Sequence, residues 1–184
     1  MVILMPQETL HSMKITDLLP DEYAAYYNTY LQLVDNEWSL TEELEVSVHN
    51  FIRFVQEIPM DKYDYRYAEG KWTIKDIIQH LIDTERIFSY RALRFARNDK
   101  TELPGYDENL YAAIANGSER KLQEMLTELA LVRQSTIMLY KSFSNEDLLK
   151  RGIASQNIAS VRAIGFIIIG HQNHHIKVFK ERYL

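Results

Sequence analysis

Three of the six histidines crowd into five residues near the C-terminus: His171, His174 and His175, in the run Gly-His-Gln-Asn-His-His. On a helix, His171 and His175 are i, i+4, so their rings share one face and can share a metal ion. They also continue an apolar stripe, with Ile164 and Ile168 before them and Val178 after. A buried polar group without a partner costs on the order of a few kcal/mol. A metal would satisfy both imidazoles, and so would hydrogen-bonding neighbours. His174 is turned about 100° from His175 and belongs at the flank. His80 lies inside another helical pattern, beside its apolar stripe. Alone it reads as a satisfied core-edge residue. Bundle metal sites, however, take side chains from facing helices, and His80 can supply a third nitrogen. Three histidines leave a coordination position open for water, which is the arrangement of catalytic sites.

Glu85 falls on the same stripe as a charged residue between Leu81 and Phe88. It reads either as a carboxylate behind the metal ligands that accepts a proton, or as half of a buried ion pair with an arginine such as Arg162. Asp83, three residues after His80, either orients or joins the ligand set or is a solvated surface acid. Arg86, Arg91, Arg94 and Arg97, with Tyr90 among them, have the spacing of a solvated helix face rather than of a nucleic-acid patch. Nucleotide-binding glycine loops and the Gly-x-Ser-x-Gly nucleophile turn are absent. The His-Glu-x-x-His protease motif is not met, because Gln172 stands where its general base would be.

These residues must be carried by helices. Leu44, Val48, Phe51, Val55 and Ile58 step by fours and threes, which predicts a helix over about 39–58. A second pattern, over about 73–97, runs through Ile74, Ile78, Leu81, Glu85, Phe88, Ala92 and Phe95, with Thr73 and Asp76 as a capping box. A third, over about 118–143, carries Leu122, Met125, Leu129, Val132, Thr136, Leu139 and Phe143, with Ser118 as its cap. The fourth, over about 160–183, carries the histidines. Four such stripes predict an all-α four-helix bundle. The long links over 98–117 and 144–159 permit crossovers, and the first has room for a short helix at 108–115. The tyrosine-rich stretch 21–34 reads as a short docking helix. Residues 1–20 read as an N-terminal extension and 21–184 as one domain.

The 184 residues contain no cysteine, which excludes disulfides, a cysteine nucleophile and iron–sulfur clusters. Hydrophobic residues at 46% and charged residues at 26% exclude a disordered chain. The net charge of −5 disfavours general binding to nucleic acid or an anionic membrane. No apolar run approaches the roughly 20 residues of a membrane span, and MVILM lacks the basic flank of a leader. The expectation is a soluble cytoplasmic protein.

The stretches GKWTIKDIIQHLIDTERIFSYRALRFARND, LPGYDENLY and SVRAIGFIIIGHQNHHIKVFKERYL resemble the DinB/YfiT-like superfamily over nearly the whole chain from Tyr23. The resemblance implies an up-down-down-up bundle with a crossover. It implies a divalent metal held by His80, His171 and His175, with bound water. It also implies frequent homodimers. Related branches include S-transferases that use a low-molecular-weight thiol (bacillithiol, mycothiol or glutathione) and metal-dependent hydrolases or isomerases. Many members carry Glu where this chain has Gln172, which removes that residue as a general base. Because the chain lacks cysteine, any thiol would be a diffusible cofactor. Three imidazoles suit zinc, nickel, iron, manganese or copper. The alternative is a non-enzymatic dimeric bundle that binds a metal or a ligand.

Overall fold

The computed structural model describes residues 13–184; His11 and most of the expected N-terminal extension lie outside them. Three short 3-10 turns (Ile15–Asp17, Pro20–Glu22, Ala25–Tyr27) lead into α1 (Asn28–Leu31) and then α2 (Leu40–Gln56). There follow α3 (Ile74–Ala96), α4 (Glu108–Ala115), α5 (Leu122–Lys141) and α6 (Asn145–Leu149). A hairpin of β1 (Arg151–Ala154) and β2 (Asn157–Ser160) precedes α7 (Val161–Arg182). The long helices are α2, α3, α5 and α7. Their ends follow local chemistry. Thr73 Oγ1 accepts the Asp76 N–H at 3.0 Å while the Asp76 carboxylate accepts the Thr73 N–H, so α3 starts at the expected capping box. Ser160 caps α7 by accepting the Ala163 N–H.

One expectation needs correction. Ser118 does not cap α5: it sits in the 3-10 turn Gly117–Glu119, and Lys121 precedes the helix with no side-chain cap. The bundle also carries the two-stranded hairpin, whose two-residue turn Ser155–Gln156 has positive φ at both positions (51° and 64°). That is the geometry matching strand twist, and it normally selects Asn-Gly. Ser-Gln gives no such signal.

Paired contacts fix the helix directions. Arg86 meets Glu128 and, further along both helices, Ser89 meets Thr136, so α3 and α5 run parallel. Leu40 lies against Gly165, Ser47 bonds Gln172 and Phe51 faces Phe179, so α2 and α7 run parallel. The start of α3 meets the second half of α7 through His80 and His171, while Phe88 and Arg91 lie beside Ile164 and Ile167 near its start; these two are antiparallel. The order is therefore up, down, down, up. Parallel sequence neighbours α3 and α5 require a long crossover, which the α4 segment provides.

Two apolar clusters fill the core. One gathers Leu44, Phe88, Phe95, Tyr140 and Ile164; the other gathers Phe51, Ile78, Leu81, Leu129 and Phe179. Between them lies a polar layer centred on Arg133, which is only 1% exposed. Its Nε and Nη2 donate to the two Glu85 oxygens at 2.7 and 3.0 Å. Nη2 also donates to Gln172 Oε1, and Nη1 donates to Leu44 O and Ser47 Oγ. All five guanidinium N–H groups are used, and the residue touches every other long helix. Glu85 is thus half of a buried ion pair, as one reading allowed, but with Arg133 rather than Arg162. Arg162 instead donates to Glu22, which also accepts from Ser160 Oγ at 2.6 Å, pinning the N-terminal segment to the start of α7.

Removing one member of a buried pair strands the other charge. Arg133→Met should lower stability in urea denaturation by about 3–5 kcal/mol. Adding Glu85→Leu should recover more than half of that loss; no recovery would show that the pair is not the dominant interaction.

The second pair makes a pH prediction. Burial alone would raise the Glu22 carboxyl, but the bonds from Arg162, Ser160 and the Leu19 N–H outweigh it and hold it at about 2. Its contribution, about 3 kcal/mol by linkage, is complete above the ordinary carboxylate range. It is lost as the pH falls from about 4.5 toward 2. The stability advantage of the wild type over Glu22→Gln should therefore be flat above pH 5 and shrink below it. An advantage constant down to pH 2.5 would refute the depressed carboxyl.

Candidate metal centre

Each histidine is placed by an element already described. The Asp76 carboxylate that caps α3 also accepts the Ser118 N–H, locking the first turn of α3 to the turn before α5. His80 follows one turn later. On α7, Gln172 is held in the Arg133 layer, which fixes the rotation of its neighbour His171. His175 follows one turn on, at the same face.

The three side chains converge. His80 Nε2 lies 3.0 Å from His171 Nε2, and His175 Nε2 lies 3.1 Å from the same atom. All three residues are at most 9% exposed. Burial drives each imidazole toward the neutral form, His80 down to about 4 and the other two well below the usual range. Neutral imidazole is the metal-binding form.

Protein hydrogen bonding alone cannot satisfy this cluster. A neutral ring has one N–H and one lone pair. His171 Nε2 can donate or accept once, so only one of its two Nε2 contacts can be a good hydrogen bond. The buried His175 Nδ1 has no partner among the described residues. One divalent ion would take all three lone pairs. Tetrahedral coordination at zinc–nitrogen distances separates ligand nitrogens by about 3.3 Å, close to the observed spacings. The donor set fits a metal of the borderline class.

The surroundings orient the rings. Thr84 Oγ1 lies 3.4 Å from His80 Nδ1 and 2.8 Å from the Tyr106 hydroxyl, a chain leading out of the cluster. Trp72, just before α3, packs its ring 5.0 Å from that of His80. Tyr30 packs 5.2 Å from His171 and 5.1 Å from His174. This contact needs Gly170, where any Cβ would collide with the Tyr30 backbone. A cavity of about 180 Å³ is walled by His80, His171, Thr84, Tyr30, Tyr106 and Arg91, so the cluster has access to a ligand-sized space.

The other expected residues separate. His174 is half-buried and lies outside the cluster. His49 is exposed on α2. Asp83 accepts from Gln79 Nε2 and sits 3.8 Å from Arg86, in a surface network away from the nitrogens. Glu85 touches Arg133, not a histidine. Arg162 lies in the first turn of α7, nine residues and roughly 13 Å of helix before His171. The arginine run is not uniformly solvated: Arg91 is 6% exposed and faces the cavity. Sequence reading also missed Arg133, Thr84 and Tyr106. Thr84 at i+4 from His80 was the available signal.

A family model for the DinB superfamily matches residues 43–179, three quarters of the chain. The chain belongs to the DinB superfamily. Among solved structures, YfiT from Bacillus subtilis is similar in fold, with a TM-score of 0.67 and 18% identity over 77% of this chain and 82% of its own. YfiT is described as a probable metal-dependent hydrolase with an unusual four-helix bundle topology. No curated protein matches this DinB-superfamily chain. Among its described residues, no helix is long and apolar enough to cross a membrane.

In titrations with zinc, His175→Ala should weaken binding by about two orders of magnitude or more, while His174→Ala stays within about threefold of wild type. Equal losses would place the ligand face of α7 elsewhere.

Proposed function

We propose that this protein is a divalent-metal-dependent enzyme. In this reading His80, His171 and His175 hold the ion, and a small electrophilic substrate occupies the cavity beside His80 and His171. The observation that carries this reading is the meeting of three neutral, buried Nε2 atoms, with two of the three histidines, His80 and His171, on the cavity wall. A bound divalent ion lowers the pKa of a coordinated water or thiol toward neutrality and polarises a substrate oxygen.

The protein's own part follows from its residues. Burial keeps the three imidazoles unprotonated, so their lone pairs are available at neutral pH. Thr84, itself bonded to the Tyr106 hydroxyl, stands at the far nitrogen of the His80 ring. Tyr30 and Trp72 wall the cluster and limit bulk water. Gln172, committed to Arg133 and Ser47, is no general base, and neither is Glu85.

Hydrolysis is the first reading, supported by the fold likeness to YfiT, a probable metal-dependent hydrolase. Thiol S-transfer is the second: the cavity admits a small ligand, and without cysteine the thiol must diffuse in. A homodimer and a cytoplasmic location complete the proposal. Leu131 and Met138, exposed on α5, offer apolar surface for the first, and a cysteine-free chain is compatible with the second.

The test is turnover of nitrophenyl esters, and of glutathione or bacillithiol with a chlorobenzene electrophile, by protein reloaded with zinc, nickel, iron or manganese. One of the two reactions should proceed with metal, stop with chelator and fall at least about 100-fold in His171→Ala. Metal binding without turnover of either kind would favour the non-enzymatic binding bundle.

A further inference from the structure

Arg91 is a buried cation with an incomplete set of partners. It is 6% exposed, yet among the described residues no carboxylate lies within 4.0 Å of its nitrogens. Its Nη2 donates to Pro104 O and to Ser155 Oγ, both at 3.0 Å. These are neutral acceptors. Nε and Nη1, with three more N–H groups, have no protein acceptor there. The guanidinium lies over the Phe88 ring, 5.7 Å from its centroid. Arg133 and Arg162, the other buried arginines, each have a glutamate. A buried charge is normally paired, so Arg91 is the exception.

It is an exception on the wall of the cavity that also contains His80 and His171. Tyr27 and Tyr106 line the same space, and burial keeps both phenols protonated and able to donate. Among the described residues, the only carboxylate on that wall is Glu108, which is exposed in the first turn of α4. The Arg91 end of the cavity is therefore donor-rich and positive.

We infer that the Arg91 end of this cavity is an anion subsite, taking the carboxylate of a small extended acid whose other end lies at His80 and His171. The inference deepens the proposed function, and only the position of the second end rests on that reading. His80, Thr84 and Arg91 are i, i+4 and i+11 on one face of α3, about 16 Å from first to last along the axis. The Arg91 side chain reaches back toward the helix N-terminus and narrows the gap to roughly 10 Å. At about 180 Å³ the space is smaller than a drug-sized site. It suits a slender acid of about six to eight carbons, not a nucleotide.

The hairpin builds this subsite. Leu103 N–H bonds Ile153 O, and Ser155 N–H bonds Leu103 O, so the link after α3 is stitched to the hairpin tip. Pro104 O and Ser155 Oγ are thereby delivered to the same guanidinium nitrogen. They position Arg91 while leaving its other donors to the cavity.

Calorimetric titration of the full-length protein with acetate, hexanoate and octanoate, and with the matching neutral amides, tests this. It is run on zinc-loaded and on chelator-treated protein. Hexanoate or octanoate should bind at least about tenfold tighter than its amide in both states, since charged hydrogen bonds are the stronger kind. Arg91→Gln should abolish the preference. Ser155→Asp should abolish it as well by supplying an internal carboxylate, and it keeps Arg91 in place should the first variant not fold. Aspartate tolerates the left-handed backbone found there. His80→Ala should retain the preference even where it loses zinc, which separates this inference from the metal reading. Equal affinity for acids and amides would overturn it. So would no binding by any acid, or a preference that survives Arg91→Gln or vanishes with zinc removal.

Discussion

The buried Arg133–Glu85 pair is the constraint around which the bundle is arranged. One guanidinium on α5 bonds α2, α3 and α7 at once, and no donor is left over. A buried pair of this kind adds little net stability over an apolar replacement, yet a misplaced partner costs several kcal/mol. Its consequence is register. Sliding any helix by one turn would strand a charge between two apolar clusters. The same layer contains Gln172, so register at Arg133 is also register at His171, one residue away, and at His175, one turn beyond.

That coupling explains how a helical bundle holds three polar rings in its interior. Imidazoles are poor core residues unless their nitrogens are occupied. Here the segments of α3 and α7 that bear them are clamped independently, by the Asp76 cap on one side and the Arg133 layer on the other. Rigid supports hold the nitrogens together even though neutral rings gain little from one another. The close seat of Tyr30 on Gly170 adds an aromatic lid without adding an acceptor. The crossover topology contributes the rest. Because α3 and α5 are parallel, the connection between them must return along the bundle, and its passage past α3 supplies Tyr106 to the cavity wall and the Pro104 carbonyl to Arg91.

Local signals carried most of the fold. The long helices, the room for a short helix at Glu108–Ala115, the Thr73 cap and the shared face of His171 and His175 follow from local patterns, whereas spacing left the third ligand open and the family resemblance supplied His80. What the sequence hid depends on distant partners. Arg162 and Glu22 are 140 residues apart, so no window links them. Arg91 shares the spacing of its exposed neighbours and becomes buried only because the hairpin and the α3–α4 link close over it. The hairpin escaped because two non-glycine residues occupy left-handed positions, a conformation sustained by the contacts of Leu103 and Gly105 rather than by local preference. Glu85 was legible as buried and charged. Its partner was not, since Arg133 stands at the centre of a helix face where periodicity favours an apolar residue.

Gln172 ties these threads to the chemistry. Its amide is used at both ends: Oε1 accepts from Arg133 and Nε2 donates to Ser47 O at 2.9 Å. A glutamate could do only the first, and it would leave the Ser47 carbonyl without that donor. It would also set a second carboxylate beside Glu85. With glutamine the layer is electrically neutral, one arginine against one glutamate. A divalent ion on three neutral imidazoles would then have, in that layer, only the Glu85 carboxylate beside it, and that carboxylate is already committed to Arg133. Arg91 adds a further positive charge at the far end of the same cavity. In a medium of low dielectric, two positive sites along one narrow space favour an anion over a neutral molecule of equal size. The glutamine that removes a general base thus leaves the positive field intact for the ligand.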